Sequence, residues 1–326
     1  MHIRRGFLGW GVFLILAGAV PLAVRAGYLT SDQIGRLWTL WPLILIGIGV
    51  GLVLSRTRFE FIGGLIVAAT LGLMAGGLLS SGISTFSSGI CGQDDGSTAF
   101  AAREGTFSAG GSMDLRLDCG HVTVGIAPGD AWRVEGKDAN GSGPDIASSD
   151  GTLRVHSREG DHGPSWVFGA RETWQVMLPD AARLGIDLQV DAGQATVDLR
   201  GAALGAVDLR LNAGVATVDL SSAKEIEGIQ FELNAGSLGL TLPNLSMTGS
   251  IQANAGAVRL CAPPDAALKL HTGENIIARY DYAGHGLVKD GTTWTTPGFG
   301  DATVRIELRT EANAGSFTLD PEGGCD

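Results

Sequence analysis

Aromatic side chains are scarce in this chain, at 6% of 326 residues. A core must therefore be built mainly from Val, Leu, Ile and Ala. Only four cysteines occur, and none is in CxxC spacing, so a zinc ribbon or dithiol redox motif is excluded. Basic residues are also few, 23 against 34 acidic ones. The deficit is uneven: residues 1–60 hold six Arg (Arg4, Arg5, Arg25, Arg36, Arg56, Arg58) against Asp32 and Glu60, leaving 17 basic and 32 acidic residues beyond. A body of that sign lacks the footprint that phosphates need, and nucleic acid is excluded as a partner. No phosphate-binding glycine loop, DxDxDG calcium loop or serine nucleophile elbow is present. Among the six histidines, His156 and His162 share a polar stretch with Glu159 and Asp161, but no pair has metal-site spacing, and a solvated loop is the expectation. The reading is of a non-enzyme with no catalytic, cofactor or metal residues.

Glycine is abundant, at 50 residues, without the G-X-Y period of collagen. Long uncharged runs are present too. Residues 7–24, 37–54 and 61–79 contain no charged side chain, and each is near the length of about 20 residues that crosses a bilayer. They predict a three-helix membrane anchor over residues 1–79 with the lipid bilayer as its partner. Arg4, Arg5, Arg56 and Arg58 on one side against Arg25 and Arg36 on the other give a positive-inside bias. The expected location is a bacterial plasma membrane, multi-pass, with a cytoplasmic N-terminus and an extracytoplasmic C-terminal domain. Residues 80–111 read as a polar linker or irregular cap, and 321–326 as a tail. All four cysteines (Cys91, Cys119, Cys261, Cys325) follow the third run, where disulfides are allowed, and three pairings are open.

Residues 112–320 carry a repeat. Its clearest copies are IDLQVDAGQATVDL from Ile186, VDLRLNAGVATVDL from Val207, IQFELNAGSLGLTL from Ile229 and IQANAGAVRL from Ile251. LRTEANAGSFTL from Leu308 is a distant copy, and MDLRLDCGHVTVGI from Met113 shares the register. The glycines are Gly120, Gly193, Gly214, Gly236, Gly256 and Gly315; the four from Gly193 to Gly256 lie 21, 22 and 20 residues apart. Apolar residues alternate on either side of each glycine, as on half-buried strands, with one residue added to the period of two at the glycine itself. A corner or bulge absorbs such a phase shift, and glycine takes the required backbone angles without strain. Stacked rungs would share a narrow core, which predicts an all-β solenoid or β-helix-like domain. A β-sandwich of repeated hairpins is the alternative. Asn212, Asn234 and Asn254, with Asn313 in the distant copy, are expected to hydrogen-bond at the corners. The 59 residues from Gly256 to Gly315 leave room for about three diverged rungs. Asp187, Asp198, Asp208 and Asp219 fall opposite the apolar stripe, where alternation alone accounts for them.

Two resemblances follow from these residues. RRGFLGWGVFLILAGAV and LWTLWPLILIGIGVGLVLSR resemble the membrane segment of LiaI- and LiaF-type envelope-stress proteins. The DLxLNAGxxxVDL phrases resemble the repetitive β domains known as adhesin-type, DUF4097-like or toast-rack domains, including the LiaF C-terminal domain. The resemblance implies a non-enzymatic envelope role, sensing or modulating stress through a membrane histidine kinase or other stress regulator. A structural or adhesive surface module, assembling as a homo-oligomer through its β domain, is the alternative.

Overall fold

The computed structural model describes residues 10–15, 18–19, 42–53, 64–73, 98–107, 110–158, 171–275, 277–282, 286–320 and 325. Contacts divide the chain into two compact units, Met1–Ile90 and Cys91–Asp326.

In the first unit the described residues form helices over 10–15, Pro42–Val53 (α1) and 64–73. Among the described residues no helix is long and apolar enough to cross a membrane. Within the described residues α1 spans 12 residues, a rise of about 18 Å against a hydrocarbon layer of about 30 Å. The expected three-helix anchor, its bilayer partner and the multi-pass topology are corrected accordingly, as is the likeness to the LiaI and LiaF membrane segment. The partnership with a membrane histidine kinase, implied by the two resemblances together, loses the membrane-segment half of its support. Apolar composition records a preference for leaving water; crossing depends on the length of unbroken helix. Much of each apolar run lies outside the described residues.

The second unit is almost wholly β. In chain order come β1 Thr98–Ala99, β2 Arg103–Thr106, β3 Gly110–Ala127, β4 Ala131–Asp138, β5 Asp145–Ser149, β6 Thr152–His156 and β7 Glu172–Pro179. The repeats supply β8 Arg183–Asp198, β9 Ala203–Asp219, β10 Gly228–Thr241 and β11 Met247–Cys261. Then follow β12 Ala267–Thr272, β13 Arg279–Asp281, β14 Val288–Asp290, β15 Thr293–Thr295 and β16 Arg305–Leu319. The main sheet runs β1-β4-β7-β3-β8-β9-β10-β11-β16-β12-β15-β14.

Its centre is six long strands, β3-β8-β9-β10-β11-β16, all parallel. Parallel pairing of consecutive copies is incompatible with a sandwich of hairpins, whose neighbours run antiparallel. The alternation sets one row against the next. Leu188, Leu209, Phe231 and Ile251 occupy one buried row before the corner. Val197, Val218, Leu240, Leu260 and Leu319 occupy another after it. Each such side chain contributes about 1.5–3 kcal/mol by leaving water. The turns between rungs stack as well: Leu199, Leu220 and Leu242 donate backbone N–H bonds of 2.8–3.0 Å to the rung that follows.

The irregular gaps between glycines are not filled by rungs. β11 pairs directly with β16, placing Gly256 beside Gly315, so the three rungs expected between them do not form. Instead β12 extends the first half of β16, β13 the second half, and the β14–β15 hairpin closes on β12. Similarly, β3 lies directly against β8, and the intervening chain forms β4–β7 around the opposite edge. The stretch expected as an irregular cap supplies β1 and β2, which pair with β4. The physical reason is that open strand edges recruit other chains unless covered, and both insertions cover one.

The scarce aromatics concentrate at these ends. Phe100, Phe107, Trp132 and Trp174 are buried at the β3 side. At the β16 side Tyr282 is buried, its hydroxyl donating to Thr310 Oγ1 at 2.8 Å, with Phe317 and Trp294 packed around it at 6.5 and 5.9 Å. Aliphatic residues dominate the rungs between, where Phe231 is a buried ring in the central rows.

Candidate functional site

Gly120, Gly193, Gly214, Gly236, Gly256 and Gly315 lie side by side in register. The first five have φ between 136° and 155°. A Cβ on Gly214 would lie 1.9 Å from the carbonyl oxygen of Gly193, and one on Gly236 would lie 1.8 Å from that of Gly214. The bend thus brings adjacent backbones too close for any side chain. At the last rung the demand relaxes, with 2.6 Å at Gly315.

Two residues before each glycine, polar side chains form a column along the outside of the corner. Asn313 Nδ2 donates to Asn254 Oδ1 at 2.6 Å, Asn254 to Asn234 at 2.6 Å, and Asn234 to Asn212 at 2.7 Å. Asn212 then donates to Asp191 Oδ1 at 2.7 Å, which also accepts from Gln189 at 2.9 Å. Every amide donates in the same direction, and the column ends on a carboxylate, which only accepts.

Beside this end lies an acidic group that alternation alone does not reveal. Glu172 opens β7 against Gly120 and accepts a hydrogen bond from the Ser157 hydroxyl, whose oxygen accepts the Asp118 N–H at 3.0 Å. Burial, reinforced by the Asp118 and Asp138 carboxylates, pushes the Glu172 carboxyl up to about 7. The Asp138 carboxylate is bound by the N–H groups of Asn140, Gly141, Ser142 and Gly143 in the following turn.

Cys261 and Cys325 form a disulfide across 64 residues. Cys119 is also disulfide-bonded and packs with Ala192 apart from the main core; Cys91 lies outside the described residues. Asp187 and Asp208 sit side by side on the outer face, and partial burial together with Asp187 pushes Asp208 up. Arg200 clasps Asp198 through Nε at 2.8 Å and Nη2 at 2.6 Å and holds its carboxyl below the usual range. Asp219 is a second neighbour of Arg200 at 3.5 Å. His156 lies 3.0 Å from Asp114, while His162, Glu159 and Asp161 fall outside the described residues. Among the described residues no group of three or more His, Cys, Asp or Glu could hold a metal ion. The carboxylates of the outer face are placed by strand alternation and lateral pairing.

Residues 111–242, less than half of the chain, match the family described as the N-terminal domain of toast_rack, DUF2154. No curated protein matches. Among solved structures, a candidate cell adhesion protein from Clostridium sporogenes ATCC 15579 is similar with 13% identity and a TM-score of 0.43, over 67% of this chain and 98% of that one. A candidate adhesin from Bacteroides fragilis NCTC 9343 is similar with 10% identity and a TM-score of 0.36, over 68% and 97%. A third, from Parabacteroides merdae ATCC 43184, has 9% identity and a TM-score of 0.23, over 68% and 96%.

Proposed function

We propose that this chain is a non-enzymatic surface module whose β-solenoid serves attachment. The observation that carries the reading is the outer face of six parallel rungs, in register along the glycine corner, covered at both ends and fixed along that corner by the amide column. Such a face offers regularly spaced polar groups that lose little freedom on binding, and this preorganisation favours adhesion over turnover. The Cys261–Cys325 disulfide supports a surface role, because such bonds persist in oxidising surroundings.

Beads coated with the purified full chain should attach to cell or matrix surfaces well above albumin-coated beads. Charge reversal at Asp187, Asp208 and Arg210, all on the outer face, should reduce that attachment. Attachment no greater than the albumin control would refute the proposal.

A further inference from the structure

Beside the β5–β6 hairpin, the outer face of β3 borders a groove of about 580 Å³. Its rim carries Arg116 from β3, Arg154 from β6 and Arg158 just beyond β6. Three guanidinium groups in one groove stand out on a body with 32 acidic and 17 basic residues beyond position 60. Their engagement is looser than that of the two most firmly held arginines of the β unit. Arg200 grips both oxygens of Asp198, and Arg133 bonds Glu135 through two nitrogens while also reaching Glu104. By contrast, Arg116 and Arg154 share one carboxylate, Asp114, with closest approaches through Nε at 3.3 and 3.5 Å, much as Arg210 and Arg309 each approach a single carboxylate through Nε at 3.4 Å. No hydrogen bond among the described residues engages the terminal nitrogens of Arg116 and Arg154. Arg158 reaches Asp145 through Nε at 3.2 Å and the Ser142 carbonyl through Nη2 at 3.4 Å. All three side chains are at least half exposed.

We infer that this groove binds the carboxylate or sulfate groups of an acidic polysaccharide. Planar guanidinium forks with unused terminal donors take an oxyanion in paired hydrogen bonds. The groove volume lies within the range of small-ligand sites and suits one or two sugar units of a longer chain. The choice of a sugar over other anions rests on Asp145. It is 69% exposed and lines the same groove, where its second carboxylate oxygen accepts hydroxyl donors. A ligand carrying hydroxyls beside its oxyanion satisfies both kinds of group, whereas a bare oxyanion such as sulfate meets Asp145 only as a like charge. Ala147, on the same face of β5 as Asp145, adds a small apolar contact for the C–H face of a sugar ring. The inference rests on the attachment reading and names a ligand class for it.

The test is calorimetric titration of the full chain with oligogalacturonate, a neutral glucan of equal length, polyglutamate and inorganic sulfate. Oligogalacturonate should bind saturably and weaken with added salt. R116A/R154A should weaken that binding at least about tenfold. R200A, at a saturated pair outside the groove, should leave it unchanged. The inference is overturned if oligogalacturonate does not bind, if R116A/R154A binds it unchanged, or if polyglutamate, sulfate alone or the neutral glucan binds as tightly. Both variants are checked for unchanged melting first. The two readings fail separately: beads carrying R116A/R154A that still attach leave attachment standing without the sugar site, while sugar binding without bead attachment removes the attachment proposal alone.

Discussion

Gly214→Ala tests the geometry on which the stack depends. The added methyl would sit 1.9 Å from the Gly193 carbonyl oxygen, and the backbone there has φ 146°. Relieving the contact requires the two rungs to part by roughly 1.5 Å, since non-bonded heavy atoms settle at about 3.5 Å. Strands at a spacing of about 4.8 Å cannot part that far without losing lateral hydrogen bonds. Forced overpacking costs about 1–3 kcal/mol, and the backbone strain about another 1–3 kcal/mol. A total of about 2–6 kcal/mol corresponds to a Tm lowered by roughly 5–20 °C in a unit of this size. Two controls separate the causes. Gly201 has φ 79° with open space around its would-be Cβ, so Gly201→Ala reports backbone strain alone. Gly239 has neither strain nor a neighbour within 4 Å, so Gly239→Ala should be neutral or slightly stabilising. Melting followed by circular dichroism should rank the loss as Gly214→Ala, then Gly201→Ala, then Gly239→Ala. A Gly214→Ala protein melting no lower than Gly201→Ala would show that close approach does not govern the corner.

Further outcomes follow from the same contacts. Asn234→Ala removes one donated and one accepted bond from the column and should cost about 1–3 kcal/mol in urea unfolding, whereas a loss under about 0.5 kcal/mol would mean the column adds little. Glu172 is pushed up to about 7 from 4.5, so the folded chain holds its proton more tightly than the unfolded one. Its contribution is therefore greatest below about pH 4.5 and is lost as pH rises through about 7, by about 3 kcal/mol at most. Glu172→Gln keeps the neutral form and should be more stable than the parent at pH 8 but similar at pH 5; equal stability at pH 8 would contradict the assignment. Cys261→Ser opens a bridge spanning 64 residues and should cost up to about 4 kcal/mol, read as a lowered Tm under non-reducing conditions.

How the sequence encodes this fold differs from element to element. The rungs are legible because Ile186, Leu188 and Val190 alternate with polar residues and the same phrase returns at a nearly constant interval, which only stacking can bury. The edges are not. Nothing in the interval from Gly256 to Gly315 distinguishes three degenerate rungs from one excursion, since short alternating strands such as β12 serve either arrangement. The apolar runs of the first unit differ again: hydropathy reports affinity for a dry environment and does not fix helix length, and among the described residues no helix reaches the length of a span. At the candidate groove, Arg154, His156 and Arg158 alternate along one face, and that spacing was a usable signal. What it lacked was Arg116, brought alongside from a distant strand by the β3–β6 pairing. Glu172 was invisible for the same reason, as its neighbours Asp118, Asp138 and Ser157 come from three other segments.

Because both terminal strands of the stack are sealed by inserted segments, the molecule cannot be lengthened by adding material at either limit. It can grow from within. A duplicated unit placed between β9 and β10 would meet a glycine, an asparagine and an apolar row on each side, and every joint would be reproduced. The reach of the protein is thus set by how many times one short phrase is copied, with its two closures left untouched.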